Sequence, residues 1–259
     1  ITIRTIRLKD KLATYQSGAS LVWDSNPQEE AQETTLKSGA FSYALGLSLK
    51  KKSQESLPII DKAAKNKKII IIDYDDSFVN TLAEYFRKLG PKVSVYRHKN
   101  ITIDFIKKQN PSLVVHSPGP GFPKDFNIPS KILQLYEAKI PQFGVCLGHQ
   151  AIVEAFGGKL KLLKNPTHGK KWQIQHDKKS IFKGLEQNMD AAAYHSIVAN
   201  PKNFPKDLII SATNQHGDIM ALRHKSKLIC SVQFHPESIL TMENNSGLKL
   251  IYNLIKDLK

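Results

Sequence analysis

Apolar positions fall along this chain in two rhythms. From residue 68 onward, short unbroken apolar runs alternate with stretches in which apolar residues recur every three or four positions. Lys68-Ile69-Ile70-Ile71-Ile72 opens the series, and a continuous run of that kind suits a strand buried on both faces. Asp76-Ser77 is placed to cap a helix carrying Phe78, Leu82, Tyr85, Phe86 and Leu89 on one side, closed by Gly90 and Pro91. The pattern then predicts a strand over 92–96, a helix near 103–108 and a strand over 113–116. A helix over 129–137 and strands over 140–146 and 228–234 follow. Repeated β-α units of this length imply an α/β fold, a mostly parallel sheet with helices on both faces. Ligands of such sheets bind beyond the C-terminal strand ends. Three turns fall there: Asp73–Ser77, Ser117–Gly121 and Cys146–Gln150.

The stretch ahead of this series differs. Residues 1–47 hold a short β pattern and then a helix-like one, in which Asp24-Ser25-Asn26-Pro27 gathers helix-start signals. Glu29, Glu30 and Glu33 load the first turns with negative charge, as the helix dipole favours, and Leu36, Ala40, Phe41 and Leu45 follow at helical spacing. Residues 48–67 are Lys-rich and interrupted by Pro58, the composition of a linker. The expected organisation is therefore 1–47, a linker over 48–67, and one domain over 68–259.

Composition narrows the class. Among 259 residues, 41% are hydrophobic, enough to bury a core, so wholesale disorder is excluded. Two cysteines exclude a disulfide-rich scaffold. No run approaches the ~18 apolar residues of a membrane span, and no signal-peptide core follows Ile1. A cytoplasmic protein with no membrane partner is the expectation. The net charge of +15 invites a nucleic-acid partner. Yet between Ser48 and Lys68 seven lysines face only Glu55 and Asp61, and no aromatic residue there offers a stacking platform. The remaining excess is scattered, so a solvated basic linker is expected and no nucleic acid.

The candidate chemistry sits on the turns. Gly144-Val145-Cys146-Leu147-Gly148 joins an apolar strand to a helix, the context of a nucleophile elbow with Cys in place of Ser. So tight a turn leaves no room for Cβ atoms on either side, and the following helix points N–H groups at the sulfur, favouring thiolate and able to hold an oxyanion. By itself the motif serves a buried structural cysteine equally well. Phe234-His235-Pro236-Glu237-Ser238 supplies a base and an orienting carboxylate two residues apart, on one side of extended backbone. Alone, that pair also suits an exposed turn. Ser117-Pro118-Gly119-Pro120-Gly121 makes a rigid loop that a ligand can approach closely, or an ordinary surface turn. Cys230 reads as a core strand residue, His149 as helix capping and packing as readily as proton transfer, and Asp73, Asp75 and Asp76 as strand-end capping rather than a metal cluster.

Taken together, Asp73–Phe78, Ser117–Gly121, Gly144–Gln150, His168-Gly169-Lys170, Tyr194-His195-Ser196 and Val232–Thr241 make residues 68–259 resemble a class I glutamine amidotransferase of the anthranilate synthase type. The resemblance implies that fold and glutamine hydrolysis without a cofactor. Cys146 would attack the side-chain amide, His235 would carry the proton to departing ammonia, and Glu237 would orient His235. Gly119, Pro120, Gly121 and Leu147 would border the glutamine and oxyanion site, with Gln150, Ser196 and Ile197 also on the substrate.

Residues 1–47 resemble the C-terminal end of a chorismate-utilising synthase, through Ile3-Arg4-Thr5, Gly18-Ala19, Asp24-Ser25 with Pro27, and Glu30 with Glu33. That match implies chorismate contacts at Arg4, Gly18, Ala19 and Ser20, and a Mg²⁺ ligand at Glu33, in an intact synthase domain. Ser20 stands where the third motif glycine is usual. The order of pieces resembles fused anthranilate synthases, so a start at Ile1 without methionine is expected to lie inside a longer protein. Expected partners are L-glutamine and the rest of the synthase domain, with a homodimer of the longer protein admitted. Related synthases giving aminodeoxychorismate or aminodeoxyisochorismate are the alternative, and a catalytically silent regulatory module is the second. Lys171 and Ala193 replace residues usual in the family, which bears on coupling between domains more than on hydrolysis.

Overall fold

The computed structural model describes residues 6–10, 12–15, 62–202, 204–241 and 243–258. The chain divides into two compact units, 1–55 and 56–259. In the first, β1 (Ile6–Lys9) and β2 (Leu12–Tyr15) form an antiparallel hairpin with Ile6 opposite Tyr15. The helix expected after Asp24, together with Arg4, Gly18, Ala19, Ser20 and Glu33, lies outside the described residues. So does the expected linker as far as residue 61; from Lys62 to Asn66 the chain is a 3-10 turn that seats Ala64 in the core of the second unit.

That unit is built on a nine-stranded sheet. Its strands are β3 (Lys68–Asp73), β4 (Lys92–Arg97), β5 (Leu113–His116), β6 (Gln142–Val145), β7 (Leu160–His176), β8 (Met189–Ala199), β9 (Leu208–Asn214), β10 (Ile219–His224) and β11 (Ile229–Val232). They lie in the order β4-β3-β5-β6-β11-β10-β9-β7-β8. The first five are mutually parallel and the remaining pairings are antiparallel. The α/β fold with a large, mostly parallel sheet is thus present. The sequence pattern did not carry the antiparallel extension that occupies most of residues 160–224.

Burial explains why β3 forms where it does. Ile69 and Ile71 point into a core shared with α1 (Val79–Lys88) and α5 (Ser246–Lys256). Ile70 and Ile72 point into a second core shared with α2 (Ile103–Gln109), α3 (Ile128–Glu137) and α4 (Leu147–Ala155). Period-two alternation sends neighbouring isoleucines to opposite faces, and each fully buried one contributes about 1.5–3 kcal/mol. Helices cover both faces accordingly. Because β3, β5, β6 and β11 run in one direction, their C-terminal ends open on one edge, and the segments after them converge there.

One local expectation changes. The N-cap of α1 is Phe78, with no side-chain cap, rather than Asp76 or Ser77. The Asp73 carboxylate instead accepts the Asp76 backbone N–H at 3.0 Å, closing the turn from the strand end.

Candidate active site

Cys146 joins β6 to α4 with φ 51° and ψ −100°, a backbone region that costs a non-glycine residue of order 1–3 kcal/mol. Its surroundings hold it there. Its N–H donates to Val232 O at 2.9 Å, and its carbonyl accepts the first helical bond, from Gln150 N at 3.0 Å. A Cβ on Gly144 would lie 2.5 Å from the Gly148 backbone, and one on Gly148 would lie 2.3 Å from His116 O. Both glycines are therefore required by contact. The result is a buried sulfur at the N-terminus of a nine-residue helix, where backbone N–H groups and the helix dipole favour negative charge.

The base comes from the segment after β11. His235 N–H donates to Ala192 O at 3.2 Å, so β8 backbone fixes the residue. Thr241 Oγ1 donates to His235 O at 2.7 Å and accepts Ala192 N–H at 3.0 Å, tying the loop to the same strand. The ring is met edge-on by Tyr194, with centroids 5.1 Å apart, and by Phe78 at 6.2 Å. His235 Nδ1 lies 2.7 Å from Glu237 Oε1, with both side chains buried. Burial opposes charging this imidazole, but Glu237, followed by Cys146, outweighs it and holds its pKa well above the usual value. A carboxylate on Nδ1 leaves Nε2 to exchange protons with the sulfur side. Sulfur, imidazole and carboxylate in this order can attack an acyl carbon and protonate a leaving amine.

The other expected site residues divide. Gly119 is seated tightly: a Cβ there would lie 2.5 Å from Tyr74 O and 2.8 Å from Leu147 Cδ2, so the loop rests on the first residue of α4. Ser117 Oγ stiffens that loop, accepting Tyr74 N–H at 2.9 Å and donating to Pro118 O at 2.6 Å. Pro120 and Gly121 are exposed. Gln150 is buried, and its Nε2 donates to Ile197 O at 3.0 Å, whereas Ser196 is exposed on β8. His149 is fully buried, with Nδ1 2.9 Å from Ser231 Oγ, and burial pushes its pKa down to about 3, which fits packing. Cys230 is a core strand residue, its thiol pushed up to about 12 by burial. Among the described residues no group of three or more His, Cys, Asp or Glu could hold a metal, and no helix is long and apolar enough to cross a membrane.

The motif reading missed two residues. Gln233 is fully buried, with Nε2 3.6 Å from Cys146 Sγ. Asp76 has a buried Oδ2 without a hydrogen-bond partner. Burial, then the Glu237 carboxylate, pushes its pKa up to about 6 against the pull of His235. The signal for Gln233 was its place beside Phe234-His235. Asp76 gave none, since its short polar side chain next to a helix reads first as a cap.

Comparison with known proteins bears on the same residues. Residues 70–254 match the family described as glutamine amidotransferase class-I, and residues 1–43 match chorismate binding enzyme. A protein of Azospirillum brasilense named anthranilate synthase is 38% identical over 255 residues, covering 98% of this chain and 35% of its own length. The chain thus spans about a third of that relative. Anthranilate synthase component 2 of Methanocaldococcus jannaschii is 47% identical over 196 residues, covering 73% of this chain and 97% of its own. Among solved structures, a putative GMP synthase subunit from Thermoplasma acidophilum superposes with a TM-score of 0.62. It covers 73% of this chain and 92% of its own at 22% identity, a likeness of fold.

Proposed function

We propose, for a chain that belongs to the class-I glutamine amidotransferase family, that Cys146, His235 and Glu237 hydrolyse L-glutamine and release its side-chain nitrogen as ammonia. The observation that carries the reading is the His235 Nδ1 to Glu237 Oε1 contact of 2.7 Å, in a buried imidazole whose pKa Glu237, followed by Cys146, holds well above the usual value. In the first half-reaction Sγ bonds to the carboxamide carbon and the carbonyl oxygen becomes an oxyanion. N–H groups at the start of α4 and along the loop at Gly119 would receive it, and one such donor contributes about 2.7–4 kcal/mol. His235 passes its proton to the nitrogen, the C–N bond breaks, and ammonia leaves a glutamyl thioester. Water then loses a proton to His235 and attacks the thioester carbon. The C–S bond breaks and glutamate departs.

The match of residues 1–43 to chorismate binding enzyme supports a second half in a longer protein. There the ammonia would aminate chorismate to anthranilate, as the names of the relatives suggest, for tryptophan biosynthesis, the role in the name of a relative from Pichia angusta. A cytoplasmic location is part of the same proposal. Arg4, Gly18, Ala19 and Ser20 would contact chorismate and Glu33 would bind Mg²⁺. These five residues lie outside the described ones. A homodimer of the longer protein and the absence of a nucleic-acid partner belong to the same proposal.

The test is glutamate release by the chain joined to its synthase domain, with product identified when chorismate is supplied. Glutaminase activity lost in Cys146→Ala, and anthranilate as product, are expected. Undiminished hydrolysis in Cys146→Ala would sink the first claim, and aminodeoxychorismate as product the second.

A further inference from the structure

Gln233 follows β11, wholly buried, with its backbone N–H on Met220 O at 2.8 Å. Its side chain reaches the sulfur, with Nε2 3.6 Å from Cys146 Sγ. The two ends of an amide differ by a single atom, so the neighbours must decide which end faces the sulfur. Here they do. The Ile197 carbonyl only accepts, so the end of Gln150 that lies 3.0 Å from it is the NH₂. The same NH₂ approaches the Gln233 amide at 3.4 Å, where only an oxygen can receive its second hydrogen. Gln233 is left with its own NH₂ on Cys146. Ile197 C=O, Gln150, Gln233 and Sγ thus form a chain in which each link fixes the direction of the next.

We infer that Gln233 is a catalytic residue that donates to the Cys146 sulfur and favours thiolate over thiol, and that Gln150 is a positioning residue holding that amide in its donating orientation. The inference rests on the reading of Cys146 as nucleophile. A donor to an ionised acceptor is worth more than one to a neutral acceptor. With Gln233 fully buried, water does not compete for it. Because the chain starts at a carbonyl of the segment expected to contact substrate, glutamine binding at Ile197 and reactivity at Cys146 are linked through two side chains.

The experiment is the pH profile of Cys146 alkylation by iodoacetamide, on the whole chain, with kcat and KM for glutamine measured alongside. Gln233→Glu keeps the side-chain shape and still accepts from Gln150, but sets oxygen against the sulfur. Gln150→Glu never touches the sulfur, but removes the donor that orients Gln233. The midpoint is expected to rise by about one pH unit in Gln233→Glu, about tenfold slower alkylation near neutrality, and by a smaller step in Gln150→Glu. In Gln233→Glu kcat should fall more than KM rises. Because the new carboxylate raises the midpoint by its charge as well, Gln233→Met, an uncharged side chain without the donor, must raise it in the same direction. A midpoint left in place in Gln233→Met, with only the melting temperature lowered, marks a purely structural residue and would overturn the catalytic assignment. A rise in the Gln233 variants with none in Gln150→Glu would overturn the positioning role. Glutaminase activity retained in Cys146→Ala marks a different failure, that of the nucleophile itself, whatever the alkylation profile.

Discussion

Asp76→Asn should stabilise the fold, and only above a definite pH. The Asp76 carboxyl is pushed up to about 6 from an ordinary 3.8, by burial first and then by Glu237, with a further push from Asp73. His235 and the Phe78 backbone N–H pull the other way without cancelling these. The folded state therefore prefers the neutral acid. Below about pH 4 the residue is protonated folded or unfolded, and it costs nothing. As pH rises from about 4 to 6 the unfolded chain releases its proton while the folded one retains it, so stability falls, and above 6 the loss stays constant. About two units at 1.36 kcal/mol each sets the loss at about 3 kcal/mol at most, less the screening that partial exposure brings. Asparagine has the same shape and no charge, and the 3.0 Å bond from the residue 76 backbone N–H to the Asp73 carboxylate does not involve the substituted side chain, so it is kept. Urea unfolding of both proteins between pH 4 and 8 should give curves that coincide at the acid end and separate by about 1–3 kcal/mol at pH 7.5, the variant being the more stable. A difference that does not change with pH, or a variant less stable at pH 7.5, would refute the reasoning.

Glu237→Gln should lower kcat for glutamine by roughly 10²–10⁴-fold, since the imidazole loses its orienting anion. The acid limb of the pH–rate profile should also shift, because Glu237 is the main group raising the His235 pKa. Gly148→Ala should abolish folding or activity. Its Cβ would stand 2.3 Å from His116 O, a backbone atom that cannot move aside, at a cost of about 3 kcal/mol or more, visible as a lowered melting temperature.

What the sequence showed and what it hid have physical causes. β3, β5 and β6 were legible because continuous apolar runs have no other use at that length, and their turns carried the motif residues. The strands between 160 and 224 were not, because β7 is irregular in register between Leu162 and Thr167 and between His168 and Lys170, which breaks the alternation. Its face is half solvated as well: Leu162 is 70% exposed. The start of α1 was misplaced because Asp76, a good capping residue by type, is held by its N–H in the turn that the Asp73 carboxylate closes, and the helix begins after Phe78. Within the site, Cys146, His235 and Glu237 were legible from spacing. The direction of the Gln150 and Gln233 amides was not, since it depends on a carbonyl at Ile197 far away in sequence.

Covalent trapping tests the central claim most directly. An electrophilic glutamine analogue, added to the chain joined to its synthase domain, should leave one adduct on Cys146 and none on Cys230, whose buried thiol is pushed up to about 12. Glutamate release should vanish in proportion to that adduct. Glutamine hydrolysis that persists with Cys146 fully modified would contradict the account.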